Sequence, residues 1–334
     1  MTQIMLIGEA WGADEERRRE PFVGTSGQEL TRMLKDAEIN RSDCYLTNVF
    51  NLRPEHNDLS TLCGSDRSLG LPPLTKGKYL SPLYSGELDR LFAEIRSVGP
   101  NICVCLGNTP TWALLRSSGI RKIRGTVGWS DVGGVKCLST YHPAAVIRDW
   151  TLRAVTVLDL RKARRESEFP EIRRPHRLIY IEPSLEDLED FYQEYLIGAP
   201  RIAFDIETFQ DQITCIGFAP SSRIAIVVPF VDPRCSGSSY WSSTDVEVAA
   251  WRWVSRVLSL PCPKAAHNGL YDIHFLWRSY GIDVTNFEDD TMLLHHALQP
   301  ESEKSLGYLG SIYTDEASWK MMRARGKTTI KQDE

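Results

Sequence analysis

Short apolar runs alternate with amphipathic stretches through the first half of this 334-residue chain, and that alternation most narrows the folds open to it. Residues 3–8 and 43–48 read as strands, and residues 101–106 and 135–139 add two more apolar runs. Between them, residues 26–37 carry a helical pattern with Ser26 placed as N-cap and Glu29 three residues on, a capping-box spacing. Residues 86–98 put Leu88, Leu91, Phe92 and Ile95 on one helical face. A further helix follows Gly107-Asn108, and 153–165 reads as a basic helix. Strands separated by helices build a parallel sheet covered on its faces by those helices. The reading is an α/β, three-layer αβα domain, whose ligands bind beyond the carboxyl ends of its strands.

A charged, proline-bracketed stretch, Glu166 to Pro175, separates two differently charged halves. Residues 1–166 hold 23 Lys/Arg and 19 Asp/Glu, while 167–334 hold 16 and 25. A basic half suits a partner made of phosphates, and an acidic half suits cations. The expected division is 1–166, a linker at 167–175, and a second domain at 176–334. With 42% hydrophobic residues the chain has apolar material for two cores. It contains no uninterrupted apolar run of about 18 residues, and its N-terminus lacks a signal-peptide layout. The expectation is a cytoplasmic protein of a bacterial cell or phage-infected host, with no membrane partner. Cys103-Val104-Cys105 has the wrong spacing for a redox or zinc pair and reads as buried core.

The polar residues at the strand ends carry chemistry. Gly8-Glu9-Ala10-Trp11-Gly12 follows the first strand, and Pro21-Phe22-Val23-Gly24 continues the loop. Thr47-Asn48-Val49 ends the second strand and runs on to Asn57, and Tyr141-His142-Pro143 follows the last. These motifs, in this order, resemble the uracil-DNA glycosylase superfamily over about residues 3–165, in particular its thermophile-type branch. The resemblance implies that Phe22 stacks on an extruded base, Asn48 reads its edge, and Gly8 lines the pocket. It implies that His142 donates to the base oxygen that gains charge, and that Glu9, Glu15 and Asn57 place the attacking water. Ala144 to Arg148 resembles the loop that wedges into the duplex, which makes Ala145, Val146, Ile147 and Arg148 the expected DNA contacts.

Departures from that pattern matter. The branch binds an iron–sulfur cluster through four cysteines, but this chain starts at the strand, and Leu52 falls where one ligand would lie. Only Cys63 is nearby, so no cluster is expected. Trp11 replaces the usual Pro and Ala10 stands where stronger relatives carry an Asp. Residues 58–82 read as a long surface loop.

In the second half an apolar run, Arg201 to Phe204, leads into Asp205-Ile206-Glu207. Alternation along a strand places Asp205 and Glu207 on one side. His267-Asn268-Gly269-Leu270-Tyr271-Asp272 opens a helix, and Glu288-Asp289-Asp290-Thr291-Met292-Leu293-Leu294 starts another, with acids placed in its first turn. Together these resemble the 3′–5′ exonuclease domains of the DnaQ-like superfamily, most closely the proofreading domains of family-A DNA polymerases. The resemblance implies a ribonuclease-H-like domain with a mixed sheet flanked by helices. It implies Mg²⁺ or Mn²⁺ held by Asp205, Glu207 and Asp272, with Asn268 and Asp290 as accessory residues. Nothing after Asp290 fits the family's third motif, so the domain reads as truncated before it and its cleavage activity stays open. His295-His296 reads as partly buried or surface histidine rather than a metal site. The combined expectation is a DNA repair enzyme that excises uracil or another deaminated base and trims 3′ ends, with DNA and a DNA polymerase as partners. The alternative is a non-catalytic replication accessory.

Overall fold

The computed structural model describes residues 3–234, 239–314 and 316. They divide into two units. Residues up to 174 together with 307–314 form the first, and Pro175–Leu306 form the second.

In the first unit the elements run β1 (Ile4–Ala10), α1 (Ala13–Arg18), α2 (Thr25–Asp36), β2 (Cys44–Phe50), β3 (Cys63–Gly64), β4 (Tyr79–Leu80) and α3 (Ser85–Val98). Then come β5 (Ile102–Leu106), α4 (Asn108–Leu115), α5 (Ile120–Ile123), β6 (Val127–Trp129), β7 (Lys136–Thr140), α6 (Pro143–Arg148) and α7 (Leu152–Glu166). The sheet order is β2-β1-β5-β7-β6, parallel except for the antiparallel edge strand β6. Alternate residues feed two cores. Ile4, Leu6 and Val104 pack with Leu30, Leu34 and Leu160, whereas Met5, Ile7 and Cys105 pack with Leu88, Leu91 and Trp112. A period of two with both phases apolar is what a strand covered by helices on both faces requires.

Several readings need correction here. Helix α2 begins at Thr25 behind Gly24, which makes no side-chain cap. Glu29 is buried instead, paired with Arg32 and Arg153, because an ion-pair partner on α7 outcompetes a local cap. Residues 58–82 are not a free surface loop. They form the β3–β4 hairpin, Leu62 and Leu80 join the core, and Pro72 accepts from the Trp112 indole at 2.8 Å. The expected linker is pinned to the first unit by Lys136. Its buried ammonium donates to the Glu166, Phe169 and Glu171 carbonyls and to the Glu166 carboxylate.

The second unit contains β8 (Leu178–Tyr180), α8 (Leu185–Phe191), β9 (Ile202–Phe209), β10 (Gln212–Ser221), β11 (Ile224–Pro229), α9 (Thr244–Leu258), β12 (Lys264–Ala266), α10 (Gly269–Tyr280), β13 (Phe287–Asp290) and α11 (Thr291–Leu298). Its mixed sheet runs β13-β12-β9-β10-β11-β8, with β10 antiparallel to both neighbours. Ile202, Phe204 and Ile206 pack with Leu188, Phe191 and Val254 on one face. The alternate residues Ala203, Asp205 and Glu207 are exposed.

The last helix is α12 (Leu306–Tyr313), whose residues from Gly307 on group with the first unit. Tyr308 and Ile312 pack on the first unit's core, Arg124 donates to Ser311 at 2.8 Å, and Lys162 donates to the Thr314 carbonyl. Apolar burial and a charge-assisted hydrogen bond together account for this placement.

Candidate functional site

Strands β1 and β2 end side by side, with Gly8 paired to Asn48. A Cβ on Gly8 would lie 2.2 Å from the Asn48 amide oxygen and 2.5 Å from the Phe22 ring. The missing side chain is what lets the amide and the ring meet. Phe22 adopts φ 57°, an uncommon left-handed conformation for a bulky residue. Two contacts hold it there. Arg41 donates to the Phe22 carbonyl at 2.9 Å, and Gly27 leaves the room that a Cβ, 1.7 Å from that carbonyl oxygen, would fill.

Strand β7 delivers His142 to the start of α6, where its Nδ1 accepts the Ala144 N–H at 3.1 Å. With Nδ1 an acceptor, the ring proton sits on Nε2. Burial, aided by nearby Arg148 and opposed by Glu15, pushes the imidazole pKa down to about 4. The ring is therefore neutral near pH 7 and offers Nε2–H as a donor. Its centroid lies 6.2 Å from that of Phe22, with the two planes 30° apart.

Phe22, Asn48 and His142 line one cavity of about 360 Å³, together with Glu9, Trp11, Glu15, Ser26, Asn57 and Arg148. Glu9 is oriented by the Thr109 hydroxyl at 2.6 Å, and Glu15 accepts the Gly24 N–H at 2.9 Å within the connection from β1 to α2. Asn57 sits exposed at the rim and accepts from Arg53 at 2.9 Å. Ser26, expected to cap α2, faces this cavity instead. Residues far apart in the chain thus surround a space within the usual size range of small-molecule sites, with stacking, edge-reading and acidic groups on its walls.

The expected wedge is partly corrected. Residues 143–148 form a helix, and Val146 is fully buried in the core, unable to reach DNA. Ala145 is half-buried, while Ile147 and Arg148 are exposed. Sequence reasoning missed Thr109 and Arg41. Single polar residues on amphipathic helices or loops carry no periodic signal that separates them from solvated positions.

In the second unit Asp205 and Glu207 share the exposed face of β9 as expected. Asp272, on α10, is buried, and its carboxylate accepts the Ile206 N–H at 2.9 Å. Burial raises its pKa, and nearby Asp290 and Glu207 raise it further. Asp290 does not sit in a helical first turn. It ends β13 and caps α11, accepting from Met292 and Leu293, and it also accepts from the Asn268 and Gly269 amides. Asn268 takes φ 60° at the start of α10, a conformation Asn tolerates. His295 is buried and bonded to Ser302, and His296 is exposed. The acids suit a hard divalent cation in donor type and in their mutual repulsion. Among the described residues, however, no three of His, Cys, Asp or Glu are drawn together into a metal-holding group.

Residues 1–165 match the uracil DNA glycosylase superfamily, and residues 181–328 match a 3′-5′ exonuclease family. A type-4 uracil-DNA glycosylase of Archaeoglobus fulgidus is 31% identical over 173 residues, covering 48% of this chain and 75% of that protein. One from Thermotoga maritima is 30% identical, covering 49% of this chain and 77% of that protein. Among solved structures, Escherichia coli RNase D aligns at 16% identity and TM-score 0.30, covering 43% of this chain and 34% of its own. The Aedes aegypti Nibbler EXO domain aligns at 13% and 0.32, covering 47% and 82%. The chain belongs to the uracil-DNA glycosylase superfamily. It joins that domain to a second one of the 3′-5′ exonuclease type.

Proposed function

We infer that the first domain removes uracil, or another deaminated base, from DNA by hydrolysis. The observation that carries this reading is the convergence of Phe22, Asn48 and a neutral His142 on one cavity. An extruded base would stack on Phe22 while the Asn48 carboxamide, both donor and acceptor, pairs with its edge. As the N1–C1′ bond breaks, its electron pair passes to the base, and the His142 Nε2–H stabilises the charge at the base oxygen. A neutral imidazole donates without giving up a full proton, and such donors are typically worth about 3–4 kcal/mol. Glu9 or Glu15 holds a water beside C1′. The water oxygen bonds to C1′, its proton leaves to the carboxylate, and the base anion then takes a proton from solvent. Ile147 and Arg148, exposed on α6, are taken as the residues that meet DNA.

For the second domain the reading is trimming of DNA 3′ ends, with Asp205, Glu207 and Asp272 holding Mg²⁺ or Mn²⁺. Such an ion would supply Lewis-acid activation at the scissile phosphate. Repair of newly made DNA in a bacterial or phage-infected cytoplasm, beside a separate DNA polymerase, fits this pairing of activities. The first domain is further taken to fold without an iron–sulfur cluster, since Cys63 lies in the β3–β4 hairpin and Leu52 packs on the core. Iron and sulfide analysis of purified protein checks this, and about four iron atoms per chain would contradict it.

The test is abasic-site formation on a uracil-containing oligonucleotide, run beside an end-trimming assay with Mg²⁺ or Mn²⁺ and Asp205→Asn as control. Alkali-labile sites are expected from the full chain, with trimming lost in the variant. Binding to the oligonucleotide without any product would replace this reading with a non-catalytic accessory role.

A further inference from the structure

Strand β2 lies at the edge of the first sheet, so its carboxyl end has a strand on one side only. Helix α3 supplies the other side. Arg90 sends one guanidinium nitrogen to the carbonyls of Asn48 at 2.8 Å and Val49 at 3.0 Å. Its second terminal nitrogen reaches the Thr47 hydroxyl at 3.3 Å and Glu94 at 2.7 Å, and its Nε reaches Glu87 at 3.0 Å. Glu87 also accepts the Asn51 N–H at 2.8 Å. The three charged residues stand at helical spacing on one face of α3, so each acid steers the guanidinium toward the strand.

We propose that Arg90 is a positioning residue for base recognition, fixing the Asn48 carboxamide by clamping its peptide from behind the cavity. This rests on the excision reading above. A guanidinium is suited to the task because its planar fork presents several donors in fixed directions, which a lysine ammonium does not. Asn48 is buried and in close contact with Gly8, so a small tilt of its peptide turns the amide away from the base edge. His142 is delivered by a different strand and is not touched by Arg90. Loss of the clamp therefore weakens recognition of the base more than departure of the leaving group.

The test compares full-chain Arg90→Met, Arg90→Lys and, as a control on the exposed side of the same helix, Arg96→Gln. Arg90→Met is expected to raise KM for uracil-containing DNA about tenfold, the loss typical of a charged hydrogen bond. Its kcat should stay within about threefold, and preference for uracil over hypoxanthine should narrow. Arg90→Lys should recover part of the KM, and Arg96→Gln should match the unaltered protein. In parallel, the side-chain amide signal of Asn48 is followed by NMR without DNA and should shift in Arg90→Met. A fall in kcat and thermal stability with an unchanged base preference would overturn the proposal, as would an unmoved Asn48 amide signal. If the unaltered protein excised no base at all, the excision reading would fail, while the amide signal would still decide whether the clamp exists.

Discussion

The two halves present their polar residues in opposite states of readiness. In the first, Phe22, Asn48 and His142 already surround one cavity, each locked from behind by a hydrogen bond or a missing side chain. In the second, Asp205 and Glu207 stand on an exposed strand face while Asp272 is turned to a backbone amide. The difference follows from the chemistry. Neutral groups and a hydrogen-bonded amide pack together at little electrostatic cost, whereas neighbouring carboxylates repel one another.

The largest effect that would sharpen this contrast is His142→Ala, which should lower kcat for uracil excision by about 10²- to 10³-fold while leaving end trimming unchanged. Equal losses in both activities would mean that the substitution unfolds the chain. Gly8→Ala should follow, with excision down by about tenfold or more, because overpacking of this kind typically costs about 1–3 kcal/mol. Near-normal excision by that variant would show that the amide and ring need not touch strand β1.

Asp290→Ala is expected to act on stability. Removing a cap that serves four amides should destabilise the second unit by about 1–2 kcal/mol, read as a lower melting temperature. Loss of trimming with an unchanged melting temperature would instead make Asp290 an accessory residue of the trimming reaction.

A further effect is the pH response of His142. Its folded pKa, about 4, lies below the ordinary histidine value of 6.5. Its stabilising contribution is therefore fully present above pH 6.5 and is lost as pH falls from there toward 4. An NMR titration should show the imidazole neutral down to about pH 5, and a midpoint near 6.5 would contradict its burial.

The legible parts of the structure were those with a period. Ile4 to Ile7 and Ile102 to Leu106 alternate between two helix-covered faces, and Asp205 and Glu207 share a side of β9 because a strand repeats every two residues. The convergence of Phe22, Asn48 and His142 on one cavity was foreshadowed by motifs at strand ends. What could not be read depended on partners distant in sequence. Glu29 looked like a cap residue until Arg153, more than a hundred positions on, claimed it. Val146 looked like a wedge because its burial depends on how α6 packs. Strand β6 is three residues long with a glycine in the middle, too short to show alternation. Arg90 is one arginine among many on helical faces, and only the fold reveals the carbonyls it meets.

The most direct measurement is an NMR titration of the full chain with free uracil, following the His142 ring nitrogens and the Phe22 ring protons. The account predicts a neutral imidazole protonated at Nε2, whose Nε2 signal moves on uracil addition together with the ring protons of Phe22. A proton on Nδ1, or signals that stay still at saturating uracil, would contradict it.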